Sequence, residues 1–570
     1  MDSENRIPVV LCWHMHQPDY QDHSNGQFLF PWVYLHCIKD YVDMAAHLEA
    51  HPEARAVVNF APVLLEQIET YLCDIERWRH DGQPMGDPLL NALPAKSLPE
   101  AGSPAFLELM EKCLKANNER IIKRFPAYTQ LADIAELYRT RPDIQRYLSR
   151  QFLADLLVWY HLGWMAETVR RDNGVIQSLQ EKAHDYTLED RQALLGVIAE
   201  LMAGIAPRYR HLAQAGQVEL AMSPWAHPIL PLLLSFDAAR EAMPGILLPE
   251  HPVYPGGHER AAWHLTEGKR TFKRFFDSEP AGCWASEGGL SQATLALLGE
   301  QGFRWTASGD SVINNSLNRA KADRAAPENA SIHQPYRCAD ADITLFFRDD
   351  GLSDLIGFSY ADWHAEDAVR DLVHHMENIA KEGNHPVISV ILDGENAWEY
   401  YPENGFHFLD ELYRLLGKHS KLRLTTYSEL LENPVIEPVS LPELVAGSWI
   451  YGTFSTWIGD PDKNRAWDLL CEAKQHFDLA LDNGSLSTEQ ELAATRQLGL
   501  CEGSDWFWWF GDYNPALVVR DFEHLYRRHL ANLYGCIGYP APPSLFQPLS
   551  QGGGEPTKGG AMRPGHEAGP

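Results

Sequence analysis

"VISVILDGENAWEYY", residues 387–401, decides the fold. Its first half is an uninterrupted apolar, β-branched run, the signature of a strand buried on both faces. The run stops at Asp393-Gly394, a turn signal, and Glu395, Trp398, Tyr400 and Tyr401 follow. A buried strand that delivers acids and flat rings to its C-terminal end belongs in a parallel sheet, where the strand ends form the working face.

Working outward, similar short runs recur: "VVLCWHMH" (9–16), "AVVNFAP" (56–62), "QVELAMS" (217–223), "GCWAS" (282–286), "FRWTAS" (303–308) and "ITLFFRD" (343–349). Several lead into segments of helical period, such as "APVLLEQIETYL" (61–72) and "GGLSQATLALLGEQG" (288–302). About seven strand-then-helix units over residues 1–430 predict an α/β fold with a parallel sheet, and suggest a barrel rather than an open sheet. The stretch 63–215 interrupts the alternation and is helical throughout, an insertion between two strands. Three amphipathic helical patterns after 430 predict a C-terminal helical domain over 431–545. The Gly/Pro-rich remainder, 546–570, lacks an apolar period and is expected to be disordered.

The totals bound the function. The 570 residues are 45% apolar and 22% charged, with a formal net charge of −30. That charge repels nucleic acid and anionic membrane and does not penalise a neutral substrate. No basic-then-apolar leader opens the sequence and no apolar run is long enough to span a bilayer. Nine cysteines, scattered with no CxxC pair, fit a reducing compartment, so a cytoplasmic location is expected.

The predicted strand ends gather chemistry. Strand one ends in His14, His16 and Gln17; "GQVE" carries Glu219; "GCWASEGG" ends in Glu287; "VISVILDGEN" ends in Asp393 and Glu395. Two readings compete for this rim. His-x-His with acids is a possible metal set. Paired carboxylates are the machinery of glycoside cleavage. Trp13, Trp284, Trp398 and Trp457 lie beside these polar groups, as does "SDWFWWFGD" (504–512) with Asp505. Rings that stack on sugar C–H faces while polar groups bond the hydroxyls favour the carbohydrate reading. Taken singly, each residue has a structural alternative: Glu287 as a helix-start acid, Asp393 as a turn, Glu219 as the partner of a barrel arginine, His14 and His16 as satisfied core groups. "FFRDDGLSDLIGFSY" (346–360) reads as a salt-bridged loop or a groove wall.

Five motifs in order, "HMHQP" (14–18), "GQVELAMSPWAHPILPLL" (216–233), "CWASEGG" (283–289), "ILDGENAWE" (391–399) and "STWIGDPDKNRAW" (455–467), resemble glycoside hydrolase family 57. "DGEN" and the fifth motif look most like its amylopullulanase and α-amylase branch. "WASE" departs from that branch, in which a proline precedes the serine. The resemblance implies an incomplete, TIM-like (β/α)7 barrel followed by a helical domain, and retaining chemistry on α-1,4-linked glucans, with α-1,6 linkages also in scope. It implies Glu287 as nucleophile and Asp393 as general acid/base. His14, His16, Glu219, Trp284, Glu395, Trp398, Trp457 and Asp505 are then expected to contact sugar. No cofactor and no catalytic metal is implied. The alternatives are a 4-α-glucanotransferase or branching-type transglycosylase with the same carboxylates, a metal-dependent hydrolase of the deacetylase or mannosidase type, and a non-catalytic carbohydrate-binding protein.

Overall fold

The structure, a computed structural model, describes residues 6–141, 143, 148–328, 330–382, 386–433, 436–555 and 563. All seven apolar runs are strands: β1 (Ile7–Met15), β2 (Ala56–Phe60), β3 (Val218–Met222), β4 (Gly282–Cys283), β5 (Trp305–Gly309), β6 (Thr344–Arg348) and β7 (Ile388–Asp393). They are joined in the order β7-β1-β2-β3-β4-β5-β6, every neighbouring pair parallel. Leu422–Leu424 adds to the start of β1, pairing Leu422 with Ile7.

The ring does not close by a ladder. At the β6/β7 seam the Asp349 N–H donates to Ser389 O at 2.8 Å, and Arg348 Nε donates to Ile391 O at 2.8 Å. Among the described residues the barrel is therefore incomplete, as the resemblance implies. The buried arginine fills the seam where an eighth strand would otherwise supply donors.

Helices cover the outside. β2 leads into α1 (Pro62–Asp81), which starts with proline in its first turn and stops at Gly82 in the left-handed conformation (φ 68°). Each device suits its end, since proline gives up only an unused N–H and glycine adopts positive φ without a Cβ clash. Between α1 and β3 the chain is helical and ends in the 27-residue α2 (Leu188–Gln214), started by a Thr187/Asp190 capping box. β3 to β7 are followed by α3 (Gly257–Phe276), α4 (Gln292–Glu300), α5 (Asp310–Ala322), α6 (Ala365–Glu382) and α7 (Phe406–Gly417).

Beyond residue 460 lie α8 (Pro461–Asp482), α9 (Thr488–Cys501), a short helix Asp505–Trp509, and α10 (Ala516–Cys536). Glu502, fully buried, fastens these helices to the barrel. It accepts from Arg260 (2.7 and 2.8 Å) and pairs with His264 (2.8 Å), both on α3, and accepts from Tyr254. The arginine pulls the Glu502 carboxyl down to about 2, against the cost of burial.

The expected disorder does not hold for residues 546–555. Leu549 and Ser550 are buried, Ser550 Oγ accepts from the Gly511 N–H, and Gly553 and Gly554 both donate to Asn514 O. Side-chain-poor sequence satisfies its main chain against a neighbouring loop here, which no apolar period announces. Residues 556–562 and 564–570 lie outside the described residues. Among the described residues no helix is long and apolar enough to cross a membrane.

Candidate active site

The site is built from strand ends. Asp393, the last residue of β7, is in register with His14 on β1, and His14 is in register with Asn59 on β2. Three polar side chains therefore stand at one height along the sheet, and His14 Nδ1 lies 2.6 Å from Asn59 Oδ1. The Asp-Gly pair that ends β7 has a local reason: a Cβ at Gly394 would fall 2.2 Å from Met15 Sδ.

Glu287 arrives differently. β4 is only two residues long, and the chain turns at Ser286–Gly288 with Glu287 in the left-handed region (φ 57°, ψ 27°). His227, in the turn after β3, is left-handed too (φ 59°). Such backbone costs about 1–3 kcal/mol per non-glycine residue and persists where surrounding structure holds it. Trp449 does part of the holding. Its main-chain N–H donates to Glu287 O at 3.1 Å and its indole Nε1 donates to Glu287 Oε2 at 3.0 Å. His227 Nδ1 lies 3.9 Å from Glu287 Oε1.

Histidines form the floor. The His16 and His227 rings stack with centroids 3.9 Å apart, and His14 lies 5.0 Å from His227. His16 Nε2 meets Asp505 at 2.9 Å, so the first residue of the Asp505–Trp509 helix reaches the barrel rim. Glu395 is buried with one oxygen saturated: Oε1 accepts from the His16 N–H, Gln17 Nε2 and Tyr41 OH, each at 3.2 Å.

These groups share a cavity of about 1000 Å³, lined also by Trp284, Trp449, Arg348 and Tyr400 from the barrel rim, by Asn117 and Trp164 from the helical insertion, and by Trp508 and Trp509 from the C-terminal helices. Pockets that bury a drug-sized ligand run from about 300 to 1,000 Å³, so this cleft has room for several sugar rings. Trp284 and Trp449 meet edge to face, centroids 5.2 Å apart. Arg563, with its guanidinium 4.7 Å from the Trp508 ring centre, also lines the cleft.

Electrostatics mark the carboxyls. Burial, then the charge of Asp393, pushes Glu287 up to about 8, against the opposing Trp449 hydrogen bond. Burial also raises Asp393, opposed by Asn396, which donates to Asp393 Oδ2 at 2.7 Å. Burial and then Asp393 raise Glu395 well above the ordinary range. The imidazoles shift the other way. Burial, then the neighbouring His16, lowers His14 to about 3 and His227 well below the ordinary imidazole range. The Glu287–Asp393 pair thus keeps one proton near neutrality, because a second negative charge in this cleft is strongly disfavoured.

A sequence profile of glycosyl hydrolase family 57 matches residues 10–442. The chain belongs to this family. It is thereby an enzyme, and its solved relatives share its fold across almost the whole chain. The α-amylase AmyC from Thermotoga maritima is 15% identical over 93% of each chain, with a TM-score of 0.56. The branching enzyme from Pyrococcus horikoshii is 16% identical over 98% of this chain and 99% of its own, with a TM-score of 0.55. The branching enzyme from Thermococcus kodakaraensis is 15% identical over 93% of this chain and 90% of its own, with a TM-score of 0.55. No curated protein matches the chain.

Within this family-57 cleft, the structure brings together Glu287, Asp393, His14, His16, Trp284, Glu395 and Asp505. Three expected contacts fall elsewhere. Glu219 is the second residue of β3, level with Val57 and Cys12 and two residues below Asn59. It accepts from Trp305 Nε1 (2.6 Å) and from the Ser428 N–H (2.8 Å) and Oγ (2.6 Å), which makes it a structural acid beneath the site. Trp398 folds back behind β7: its ring packs on Trp13 at 5.8 Å and its Nε1 donates to Gly394 O. Trp457 is fully buried under the C-terminal helices beside Trp508.

His227, Asn59 and Trp449 escaped the sequence reading. His227 stood inside a recognised motif, between Pro224 and Pro228 just past a strand, which is a usable signal. Asn59 sat in a strand core and Trp449 in a linker, where nothing in the local pattern pointed to the site.

Proposed function

We propose that the protein cleaves α-1,4-linked glucans with retention of configuration, through a glycosyl-enzyme on Glu287. The observation that carries this reading is one cleft lined by both Glu287 and Asp393, with burial raising each carboxyl. Retaining chemistry needs one ionised nucleophile and one protonated acid, about 5–5.5 Å apart. Glu287 attacks the anomeric carbon while Asp393 gives its proton to the leaving oxygen. Asp393 then takes a proton from the incoming hydroxyl, which displaces Glu287.

In the empty cleft the rise in Glu287 favours the proton there, the reverse of the attacking arrangement. Two hydrogen bonds bear on its position. Trp449 Nε1 stabilises the Glu287 carboxylate. Asn396 stabilises the Asp393 carboxylate, and a leaving oxygen that accepts from a protonated Asp393 shifts the balance toward attack. Trp284 and the imidazoles of His14 and His16 offer a ring face and donors for the sugar being cleaved.

A second reading, transfer of the glycosyl group to a sugar hydroxyl, uses the same residues. It is supported by the full-length fold likeness to branching enzymes. The test is product analysis on amylose, pullulan and maltooligosaccharides, with Glu287→Gln in parallel. Reducing ends released by wild type and lost by several orders of magnitude in the variant are expected for hydrolysis. Turnover without new reducing ends selects transfer, and inactivity on every α-glucan overturns both.

A further inference from the structure

Three side chains of metal-ligating type stand together in the cleft. One ligand atom each from His16, His227 and Asp505 lies within 4.8 Å of the others. We infer that these residues form a site for a divalent transition-metal ion of the zinc class, and that the ion and the sugar exclude each other.

The donor set fits. Two imidazoles and a carboxylate suit zinc, nickel or copper(II), whereas calcium and magnesium favour all-oxygen shells. Three protein ligands are what an open tetrahedral site requires, with the fourth position left to water. The His16 and His227 rings lie 3.9 Å apart and His16 Nε2 is 2.9 Å from Asp505, so the donors are already neighbours.

An independent observation points the same way. His227 is only 1% exposed, its Nδ1 lies 3.0 Å from Ser504 Oγ, and its Nε2 has no hydrogen-bond partner among the described residues. Buried side-chain nitrogens are paired in the large majority of cases, so a bare one on a ring this buried calls for a further component.

Position decides the consequence. His227 Nδ1 is 3.9 Å from Glu287 Oε1, and all three ligands line the same cavity as Glu287 and Asp393. An ion held there occupies space that the reacting sugar needs. The ligands also come from the end of β1, the turn after β3 and the C-terminal helical region, so the ion would tie those helices to the barrel. It takes no part in glycosyl transfer, and chelation leaves turnover intact or raises it.

The experiment titrates chelator-treated full-length protein with zinc chloride by calorimetry, and with cobalt(II) followed by visible absorption. Wild type is expected to bind one ion per chain with Kd of about 10 µM or tighter and to melt at a higher temperature when loaded. Asp505→Asn and His227→Gln are each expected to weaken binding at least about tenfold. A thermal melt of each variant establishes that it is folded, and Asp505, partly exposed, is the safer of the two. Maltoheptaose is expected to weaken the apparent zinc affinity. Zinc is expected to inhibit turnover competitively. Wild-type Kd above about 1 mM, or unchanged affinity in both folded variants, overturns the metal site; zinc binding indifferent to maltoheptaose, when calorimetry shows that maltoheptaose itself binds, overturns the mutual exclusion. Calorimetry reads binding without turnover, so failure of the glycosidase reading and failure of this one are separable.

Discussion

Trp449→Phe isolates the hydrogen bond on which the proposed nucleophile depends. Phenylalanine keeps a ring against Trp284 while removing the indole N–H, which donates to Glu287 Oε2 at 3.0 Å, together with part of the indole surface. A hydrogen bond to a charged group is worth about 1.5–3 kcal/mol. Glu287 rests protonated near neutrality and must ionise to attack; a bond made to the ionised form and kept in the transition state lowers kcat/KM by roughly 10- to 100-fold when removed, at about 1.4 kcal/mol per decade. The sign in pH is fixed as well. Trp449 holds Glu287 down, so its loss raises Glu287 above the wild-type value of about 8. The basic limb, where the pair loses its last proton, therefore moves to higher pH while the plateau falls. The assay is kcat/KM against pH for an aryl maltooligoside with a good leaving group. A variant within threefold of wild type at every pH, or a basic limb shifted to lower pH, refutes the reasoning.

Glu287→Gln should stabilise the fold at alkaline pH. The folded-state value is raised, so the group favours folding below its ordinary 4.5 and that contribution is lost as pH climbs through about 8. The full shift corresponds to about 5 kcal/mol, and water in the open cleft reduces the observable gain to about 1–3 kcal/mol, read by urea unfolding at pH 9 against pH 5. Arg260→Met should cost about 3–5 kcal/mol, because it leaves Glu502 charged and buried without its main partner. Glu502 is depressed, so wild-type stability from this network is present above about 4.5 and lost as pH falls toward about 2; the Arg260→Met melting curve should show a shallower acid slope. Glu219→Gln should lower the melting temperature yet leave kcat/KM within about twofold of wild type, since Glu219 bonds Trp305 and Ser428 beneath the site. A large rise in KM for that variant would return Glu219 to the sugar.

Much of this was legible because strands buried on both faces write themselves as apolar runs. All seven were visible, and six of them with ends within two residues; β4 is shorter than "GCWAS" suggests because the chain must turn at Ser286 to present Glu287. Alternation along a strand tells which face a side chain takes and not how far up the barrel it stands. Glu219 and Ala221 share a face of β3, but only the upper of the two positions is level with Asn59 and His14. The aromatics were ambiguous for a related reason. Trp284 and Trp398 each closely follow a strand end, and only the local turn decides that one ring lines the cleft and the other packs on Trp13. Trp449 came from a segment with no pattern at all, brought to Glu287 by the chain's passage from barrel to C-terminal helices.

The central claim is that Glu287 carries the sugar. Incubating the protein with a 5-fluoroglycosyl fluoride of maltooligosaccharide type slows departure of the sugar, and peptide mass spectrometry then locates it. The account predicts one added glycosyl mass on the peptide containing Glu287, absent from Glu287→Gln and retained at reduced rate in Asp393→Asn. Label on Asp393 or Glu395, or turnover of the reagent with inverted product and no covalent adduct, would contradict it.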